Sequence, residues 1–322
     1  MVSKSEWDQE RMRQFWWFMA ERHEIFRRRM LFQQLPPWTR DPILATVRFT
    51  NVYRELDRVT RYVIQRIVSR RASKRDVFWN VLVFRFFNWI PTYEALGGFQ
   101  PPGAWQPRRV VKTLVARQRQ GLQVFTGAYM VQAIGSRPGV GGKVELIVHR
   151  RLEWVRHRLD SFFKILKAQP TMDAAHEVLC QIPGIAAFNA YELVTDLCYH
   201  QAVLPFSEDD WVNPGPGALK GLRALGPRIH WTDDLAREAI GQLCQAQAQG
   251  FHEAGATLNG PPLTLRNIEH SLCEYSKYVR AAEGGHAKRR FHAKEADMDL
   301  TPWEHLPSRF ADPKQFLRCQ DA

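Results

Sequence analysis

Segments with helical spacing of apolar residues follow one another along this chain, and prolines or glycines separate them. The clearest of these segments span about residues 7–34, 57–71, 73–89, 107–119, 144–168, 172–200, 232–249 and 265–282. Signals for β-strands, such as alternation of apolar and polar residues, are scarce. Because few segments show the pattern of a strand, the sequence predicts an all-α fold.

One segment reads as a helix, a tight Pro183-Gly184 turn and a second apolar helix. Thr171 is the expected cap of the first helix, since its hydroxyl can accept a bond from a free N–H group. Helix starts carry unpaired N–H groups and the positive end of the helix dipole, so a hairpin of this kind can hold a nucleic-acid phosphate. We therefore predict DNA contacts at the turn, from Ile182, Pro183, Gly184 and Ile185.

The charge balance points to the same class of partner. The net charge is +12 and the sequence pI is about 9.7. Such an excess of basic residues favours a polyanion, because neutralising phosphates releases counterions. A generically basic soluble protein is the alternative. No apolar run is long enough to span a bilayer, and the N-terminus lacks a signal-peptide pattern. We therefore expect a cytoplasmic protein that does not associate with a membrane.

The sequence offers little for a metal or a disulfide framework. The cysteines, five in number, are dispersed, with no Cys-x-x-Cys pair. The histidines lack the spacing of metal ligands. The Gly-rich loop at residues 135–143 also departs from a kinase-type phosphate loop, because Arg137 replaces its first glycine and Val144 replaces its Ser or Thr. We expect neither a metal nor a cofactor.

Polar residues concentrate between residues 49 and 58. If this stretch is helical, Asn51, Arg54 and Arg58 share a face, and Asp57 lies beside the two arginines. An amide, a carboxylate and two guanidinium groups could bind an anion or a base edge. A solvated helix surface with local ion pairs fits the spacing equally well.

Two further polar groups are candidates for a site. Asp209 and Asp210 directly precede a rigid Gly- and Pro-rich loop that ends at residue 217. Glu269 and Lys277 belong to a polar stripe on the predicted helix at residues 265–282. An acidic loop before a helix is also a common structural feature, and the pattern alone leaves both readings open.

Several blocks of the chain, taken in order, resemble one known family. The blocks are PWTRDPIL (37–44), FTNVYRELD (49–57), FRFFN (84–88), FTGAY (125–129), IPGIAAFNAY (182–191), DDWVNPGPGA (209–218) and IEHSLCEYSK (268–277). They are similar to blocks of the alpha-glutamyl/putrescinyl thymine pyrophosphorylases, the amino acid:DNA transferases of phage thymine hypermodification. That family shares its helical domain with the 5-hydroxymethyluracil DNA kinases and resembles the helix-hairpin-helix DNA glycosylases in fold.

The resemblance covers about residues 10–282 and implies a fold and an architecture. The fold would be a helix-hairpin-helix DNA-glycosylase-like helical fold. Residues 1–283 would form one such domain, either undivided or built of two helical lobes, with the hairpin near residues 172–200. Residues 284–322 would form a polar C-terminal tail.

The resemblance also implies an activity. The enzyme would replace the pyrophosphate of 5-pyrophosphoryloxymethyl-uracil in double-stranded DNA with an amino acid or a polyamine, in the cytoplasm of the host if a phage encodes it. Asp210 is the first candidate for the base that takes the proton of the amine, because it matches the glycosylase-like carboxylate position, and Asp57 is the second. Arg54 would stabilise the leaving pyrophosphate.

The remaining implied roles concern binding of the substrates. Arg58 would assist Arg54 on the pyrophosphate, and Asn51 would read the uracil edge through its paired donor and acceptor. Glu269 and Lys277 would help to bind the substrates, with Glu269 a candidate for the amine.

Two other functions remain open from the sequence. A monofunctional DNA glycosylase could act on a modified pyrimidine with Asp210 as its catalytic acid. The hairpin could also serve a non-catalytic helix-hairpin-helix DNA-binding protein. A bifunctional glycosylase is disfavoured, because Phe188 stands at the nearest match to its lysine.

Overall fold

The computed structural model describes residues 6–127, 138–139, 141–226, 229–285 and 291 of this chain. Within these ranges the regular secondary structure is helical, which confirms the all-α prediction. Among the described helices, none is both long and apolar enough to cross a membrane. Residues 135–137 and 140 of the Gly-rich loop, Ala128 and Tyr129 of the FTGAY block, and the predicted tail apart from residues 284, 285 and 291 lie outside the described residues.

The α-helices that the described residues form are, in chain order, α1 (Gln9–Phe26), α2 (Pro42–Thr46), α3 (Arg58–Val63), α4 (Lys74–Phe87), α5 (Ile90–Ala95), α6 (Pro107–Arg119), α7 (Gly142–Glu145), α8 (Glu153–Arg156), α9 (Leu159–Lys167), α10 (Met172–Cys180), α11 (Ala187–Cys198), α12 (Pro216–Ala224), α13 (Asp233–Gln245), α14 (Gln247–Glu253) and α15 (Leu265–Ala282). Wider π-helical turns occupy Arg27–Leu31, Ile64–Val68 and Leu146–Leu152, and 3-10 turns occupy Arg54–Leu56 and Pro102–Ala104.

The chain divides into two compact units. One, here the terminal unit, lies within residues 1–57 and 212–322, and the other, the central unit, comprises the described part of residues 58–211. Each unit has its own buried apolar side chains, such as Phe15 and Tyr275 in the terminal unit and Phe78 and Leu193 in the central unit. Each is therefore described by itself below.

Close helix contacts in the terminal unit depend on small residues. Gly221 of α12 packs so tightly on α15 that a Cβ atom would overlap the carbonyl group of Leu272. Gly250 of α14 similarly admits the indole of Trp16 from α1. Glycine allows this approach because the two backbones can meet without an intervening side chain. These contacts hold α1, α12, α14 and α15 around one core.

The central unit contains the predicted hairpin. Thr171 caps α10, its hydroxyl accepting from Ala174 N at 3.4 Å, as predicted. The turn follows, with Gly184 at φ +81°, a left-handed conformation that favours glycine. α11 then begins at Ala187 and packs against α4 through a buried ion pair in which Arg85 donates to both oxygens of Asp196, at 2.5 and 2.8 Å.

Local caps set several other helix boundaries. Thr232 caps α13 and Thr264 caps α15, where Asn267 completes a reciprocal capping box. The prediction for residues 265–282 is confirmed. The helix predicted from Thr232 to residue 249 is instead two helices, since α13 ends at Gln245 and α14 starts at Gln247.

The structure corrects three predicted helices. The first helix ends at Phe26 and continues only as a π-helical turn, and residues 144–168 form a π-helical stretch, α8 and α9 rather than one long helix. Residues 49–53 are not helical, so Asn51, Arg54 and Arg58 do not share a helix face. The reason is local: the Asp57 carboxylate accepts the Asn51 N–H, and the Asn51 amide donates to the Leu56 carbonyl. Such bonds compete with a helix for the same backbone groups.

Candidate functional site

A group of polar side chains in the terminal unit joins the segment before the first 3-10 turn to helix α15. We call this group the Asp57 cluster, and its members are Arg22, Thr50, Asp57, His270 and Glu274. Arg22, His270 and Glu274 are buried, whereas Thr50 and Asp57 are partly exposed. Buried polar groups are costly unless they are bonded to one another, so such a cluster needs an organised network.

Thr50 lies at the centre of this network. Its Oγ1 is 2.6 Å from His270 Nε2, and its N–H points at Glu274 Oε2 at 3.4 Å. His270 and Glu274 are one helical turn apart on α15, so their side chains lie on the same face. The helix therefore presents an imidazole and a carboxylate to one short extended segment.

Arg22 of α1 fixes the backbone of that segment. Its Nε and Nη2 donate to the Thr50 carbonyl at 3.1 and 2.6 Å, and Nη2 also donates to the Asn51 carbonyl at 3.0 Å. The side chain is only 4% exposed, and burial lowers its pKa to about 10. The buried Nη1 atom makes no hydrogen bond to a described residue. Arg22 therefore brings a positive charge into the cluster and keeps one donor unused.

Asp57 is a carboxylate of the cluster that titrates near neutral pH and is accessible to solvent. Its Oδ1 accepts from Asn51 N at 2.9 Å, and its Oδ2 lies 3.8 Å from His270 Nε2. Burial raises the pKa of Asp57 to about 7. The Asn51 N–H opposes this rise, whereas the charge of Glu274 adds to it. With 23% of its side chain exposed, Asp57 can accept or deliver a proton near neutral pH.

Lys277 marks the outer edge of the cluster. Its Nζ donates to Glu274 Oε1, and its side chain is 39% exposed. Glu274 itself is buried, so the ion pair links the interior of the cluster to the surface. Lys277 is thus a cation at the solvent-facing side of a group that also contains Asp57.

The other predicted residues of the terminal unit have different surroundings. Arg54 is buried in the 3-10 turn, and its charge lowers the pKa of Asp57. Glu269 is buried, accepts from Arg266 Nη1 at 2.8 Å, and lies 3.4 Å from the Gly215 N–H. Glu269 therefore anchors the start of α12 to α15.

Most of the predicted site residues of the central unit are exposed. Arg58 is exposed at the first position of α3. Asp210 is exposed in a turn, where its carboxylate accepts from the N–H and the hydroxyl of Ser207, both at 2.9 Å. Pro183 and Gly184 are exposed, whereas the side chains of the flanking isoleucines are buried. The hairpin therefore offers its turn backbone, not Ile182 and Ile185, to a ligand.

Sequence reasoning missed Arg22, Thr50 and His270, and it placed Glu274 in the polar stripe of the last helix without assigning it a role. His270 and Glu274 carried a usable signal, because they stand one turn apart in the block at 268–277. Arg22 carried none, since only the packing of α1 brings it to residues 50 and 51. Among the described residues, no group of three or more His, Cys, Asp or Glu side chains could hold a metal ion.

The fold and the site define a helical protein with a titratable carboxyl group in an interior polar cluster. The family described as "5-hmdU DNA kinase, helical domain" matches residues 9–287. The 5-hmdU DNA kinase of Bacillus phage SP10 is 30% identical, and the similarity covers 91% of this chain and 49% of that protein. The chain belongs to the 5-hmdU DNA kinase helical-domain family, and it spans about half the length of this curated relative. No solved structure matches the chain significantly.

Proposed function

We propose that this chain modifies 5-substituted uracil in DNA, as a transferase that replaces the pyrophosphate of 5-pyrophosphoryloxymethyl-uracil with an amino acid or a polyamine. Membership of a family described by a 5-hmdU DNA kinase supports a substrate of this class. The observation that carries the proposal is the Asp57 carboxyl, whose pKa of about 7 suits proton transfer from an amine. The family and the site together favour chemistry on the base over simple binding.

The reaction needs one base and one group of cations. The amine nitrogen attacks the exocyclic methylene carbon, a C–N bond forms, and the C–O bond to pyrophosphate breaks with its electron pair on the leaving oxygen. The proton lost by the nitrogen passes to the Asp57 carboxylate. His270 lies 3.8 Å from that carboxylate and can stabilise the proton on Asp57 or relay it onward.

Asp57 is preferred to Asp210 as this base. Asp57 lies in a polar interior that holds its pKa near the operating pH, and general bases work best in that range. Asp210 lies in an exposed turn and is occupied by two bonds from Ser207. The order of the two candidates from the sequence is therefore reversed in this proposal.

The remaining roles follow from what each side chain offers. Asn51 donates its amide N–H to Leu56, and its side-chain oxygen accepts from no described residue. That oxygen is a suitable partner for the N3–H of uracil. Lys277, half-exposed at the edge of the cluster, and Arg54 supply positive charge for the departing pyrophosphate.

We further propose a helix-hairpin-helix, glycosylase-like mode of DNA binding. The target base must leave the duplex before a side chain can reach its methylene group, which costs a few kcal/mol. The turn at Pro183-Gly184 and the start of α11 would hold the DNA backbone while this occurs. The exposed turn backbone in the central unit supports this role.

The test uses DNA that contains 5-hydroxymethyluracil and has been pyrophosphorylated by a suitable kinase. The protein is incubated with this DNA and a pool of amino acids and polyamines, and the digested nucleosides are analysed by mass spectrometry. We expect a nucleoside heavier than hydroxymethyldeoxyuridine by one amine residue, together with free pyrophosphate. Asp57→Asn should abolish this product, whereas Asp210→Asn should retain it.

Other outcomes assign other functions. Abasic sites in place of a new nucleoside would indicate the glycosylase. Loss of product in Asp210→Asn but not in Asp57→Asn would return the catalytic role to Asp210. Tight DNA binding without any altered nucleoside would contradict a catalytic role and support a DNA-binding protein.

A further inference from the structure

Arg151 is a buried cation that pairs with none of the described residues. It lies in the π-helical stretch Leu146–Leu152 of the central unit and is only 5% exposed. It forms no hydrogen bond or ion pair with a described residue, and its Nη1 atom is buried and unsatisfied. Burial lowers its pKa, and no carboxylate counteracts this effect. An arrangement of this kind costs stability, so it requires an explanation.

The guanidinium of Arg151 lies directly against the hairpin turn. A Cβ atom built on Gly184 would overlap the Cζ, Nε and Nη1 atoms of Arg151. Only glycine therefore allows the arginine to reach this position, and its φ of +81° makes glycine favourable there as well. The positive charge of Arg151 therefore lies against the turn that precedes α11.

A second cation accompanies Arg151. Lys143 is half-buried, its Nζ lies 4.3 Å from the centre of the Phe125 ring, and its pKa is lowered by burial and by the charge of Arg151. The two like charges repel each other, and no ion pair from either to a described carboxylate relieves this. An anion bound between them would remove both the repulsion and the unsatisfied donor.

The start of α11 provides backbone donors at the same place. No side chain caps this helix of 12 residues, and Ala186 and Ala187 at its start are exposed. The first N–H groups of a helix have no partner within the helix, and the helix dipole favours negative charge there. The uncapped start of α11 therefore follows directly on the turn that the buried guanidinium contacts.

We infer that Arg151, Lys143 and the start of α11 form a phosphate-binding site, and that its ligand is a backbone phosphodiester of DNA. The inference rests on the proposed function, because it takes DNA as the substrate. Arginine suits the role, since its planar fork can give two parallel bonds to a phosphate. The cost of the buried charge is then recovered only when DNA is bound.

The test measures DNA affinity and thermal stability of Arg151→Met in the full chain. We expect affinity for a short duplex to fall about tenfold or more, as for loss of a charge-assisted bond. The slope of log affinity against log salt should become less steep by about 1. The melting temperature without DNA should stay unchanged or rise, because an unpaired buried charge has been removed. Lys143→Met should weaken binding in the same direction.

The control is Arg75→Met, also in the central unit. It removes the same charge from a partly exposed arginine that pairs with Asp160 at 2.8 Å, so DNA affinity should change little. Arg151→Lys keeps the charge but not the fork and should bind with intermediate affinity.

The outcomes separate this inference from the proposed function. If the wild-type protein binds no duplex at all, both fail. If it binds and Arg151→Met binds equally well with the same salt slope, only the inference fails. A melting temperature of Arg151→Met several degrees below that of the wild type would identify a structural residue and contradict the inference. Stabilisation of the wild type but not of Arg151→Met by pyrophosphate, with equal DNA affinity, would assign the site to the leaving group and contradict the backbone assignment.

Discussion

The hydroxyl of Thr50 and the Nε2 atom of His270 lie 2.6 Å apart, although 220 residues separate them in the chain. This bond ties an irregular segment to the middle of α15 and brings His270 to 3.8 Å from Asp57. Arg22 holds the same segment through the carbonyls of Thr50 and Asn51. The position of the candidate base thus depends on two contacts between distant parts of the sequence.

Removal of the Thr50 hydroxyl should weaken the terminal unit. Thr50→Val keeps the shape of the side chain but leaves the buried His270 without this partner, which costs roughly 1–3 kcal/mol. Thr50→Ser keeps the hydroxyl and should cost less. Denaturant unfolding of the three proteins measures the difference. A loss in Thr50→Ser that equals or exceeds the loss in Thr50→Val would contradict the dominant role of the hydrogen bond.

The raised pKa of Asp57 should be visible in the pH dependence of the free energy of unfolding. Its pKa is about 7 in the fold and about 4 in an unfolded chain, so the unfolded state releases its proton at lower pH. Ionised Asp57 is therefore unfavourable in the fold, and raising the pH from about 4 to about 7 should destabilise the wild type relative to Asp57→Asn. The upper limit is roughly 1.4 kcal/mol for each unit of pKa shift.

The comparison with Asp57→Asn isolates this group from every other titration. The asparagine oxygen can still accept the Asn51 N–H. Unfolding of both proteins is measured between about pH 4 and about pH 8.5, and the difference should grow up to about pH 7 and then stay constant. A difference that does not vary with pH would contradict the raised pKa.

Close packing of α12 on α15 should make Gly221 irreplaceable. Gly221→Ala places a methyl group against the Leu272 carbonyl, and such overpacking costs typically about 1–3 kcal/mol, or more where backbone must move. Gly241 in α13 is the matched control, because a Cβ there meets nothing within 4 Å. Gly241→Ala should stabilise by about 0.4–1 kcal/mol. Thermal melting of the two variants should shift in opposite directions, and shifts of the same sign would refute the packing argument.

The buried pair of Arg85 and Asp196 should stabilise the central unit only while both partners are present. Asp196→Asn leaves a buried guanidinium, which costs about 3–5 kcal/mol, with Glu192 at 3.8 Å offsetting part of it. The double variant Arg85→Met, Asp196→Leu removes both charges and should recover much of the loss. Chemical denaturation measures each step. A double variant as unstable as Asp196→Asn would mean that the pair contributes more than charge compensation.

The sequence by itself determined the helical class and several helix boundaries. Caps act within one turn, so Thr171 and Thr232 specify where α10 and α13 begin whatever surrounds them. The Pro183-Gly184 turn is specified in the same way, because the left-handed conformation at its second residue favours glycine. Asp57 and Asn51 were also recognisable from the sequence as polar residues close together, although not as the turn they form.

Only the tertiary structure decided what surrounds these residues. The pKa of Asp57 depends on burial and on charges from α1 and α15, which no local pattern contains. Arg151 likewise belongs to no sequence motif, and the role inferred for it depends on its contact with Gly184. The physical reason is the range of each interaction: capping and turn formation act over a few residues, whereas desolvation and ion pairing depend on which distant segments pack together.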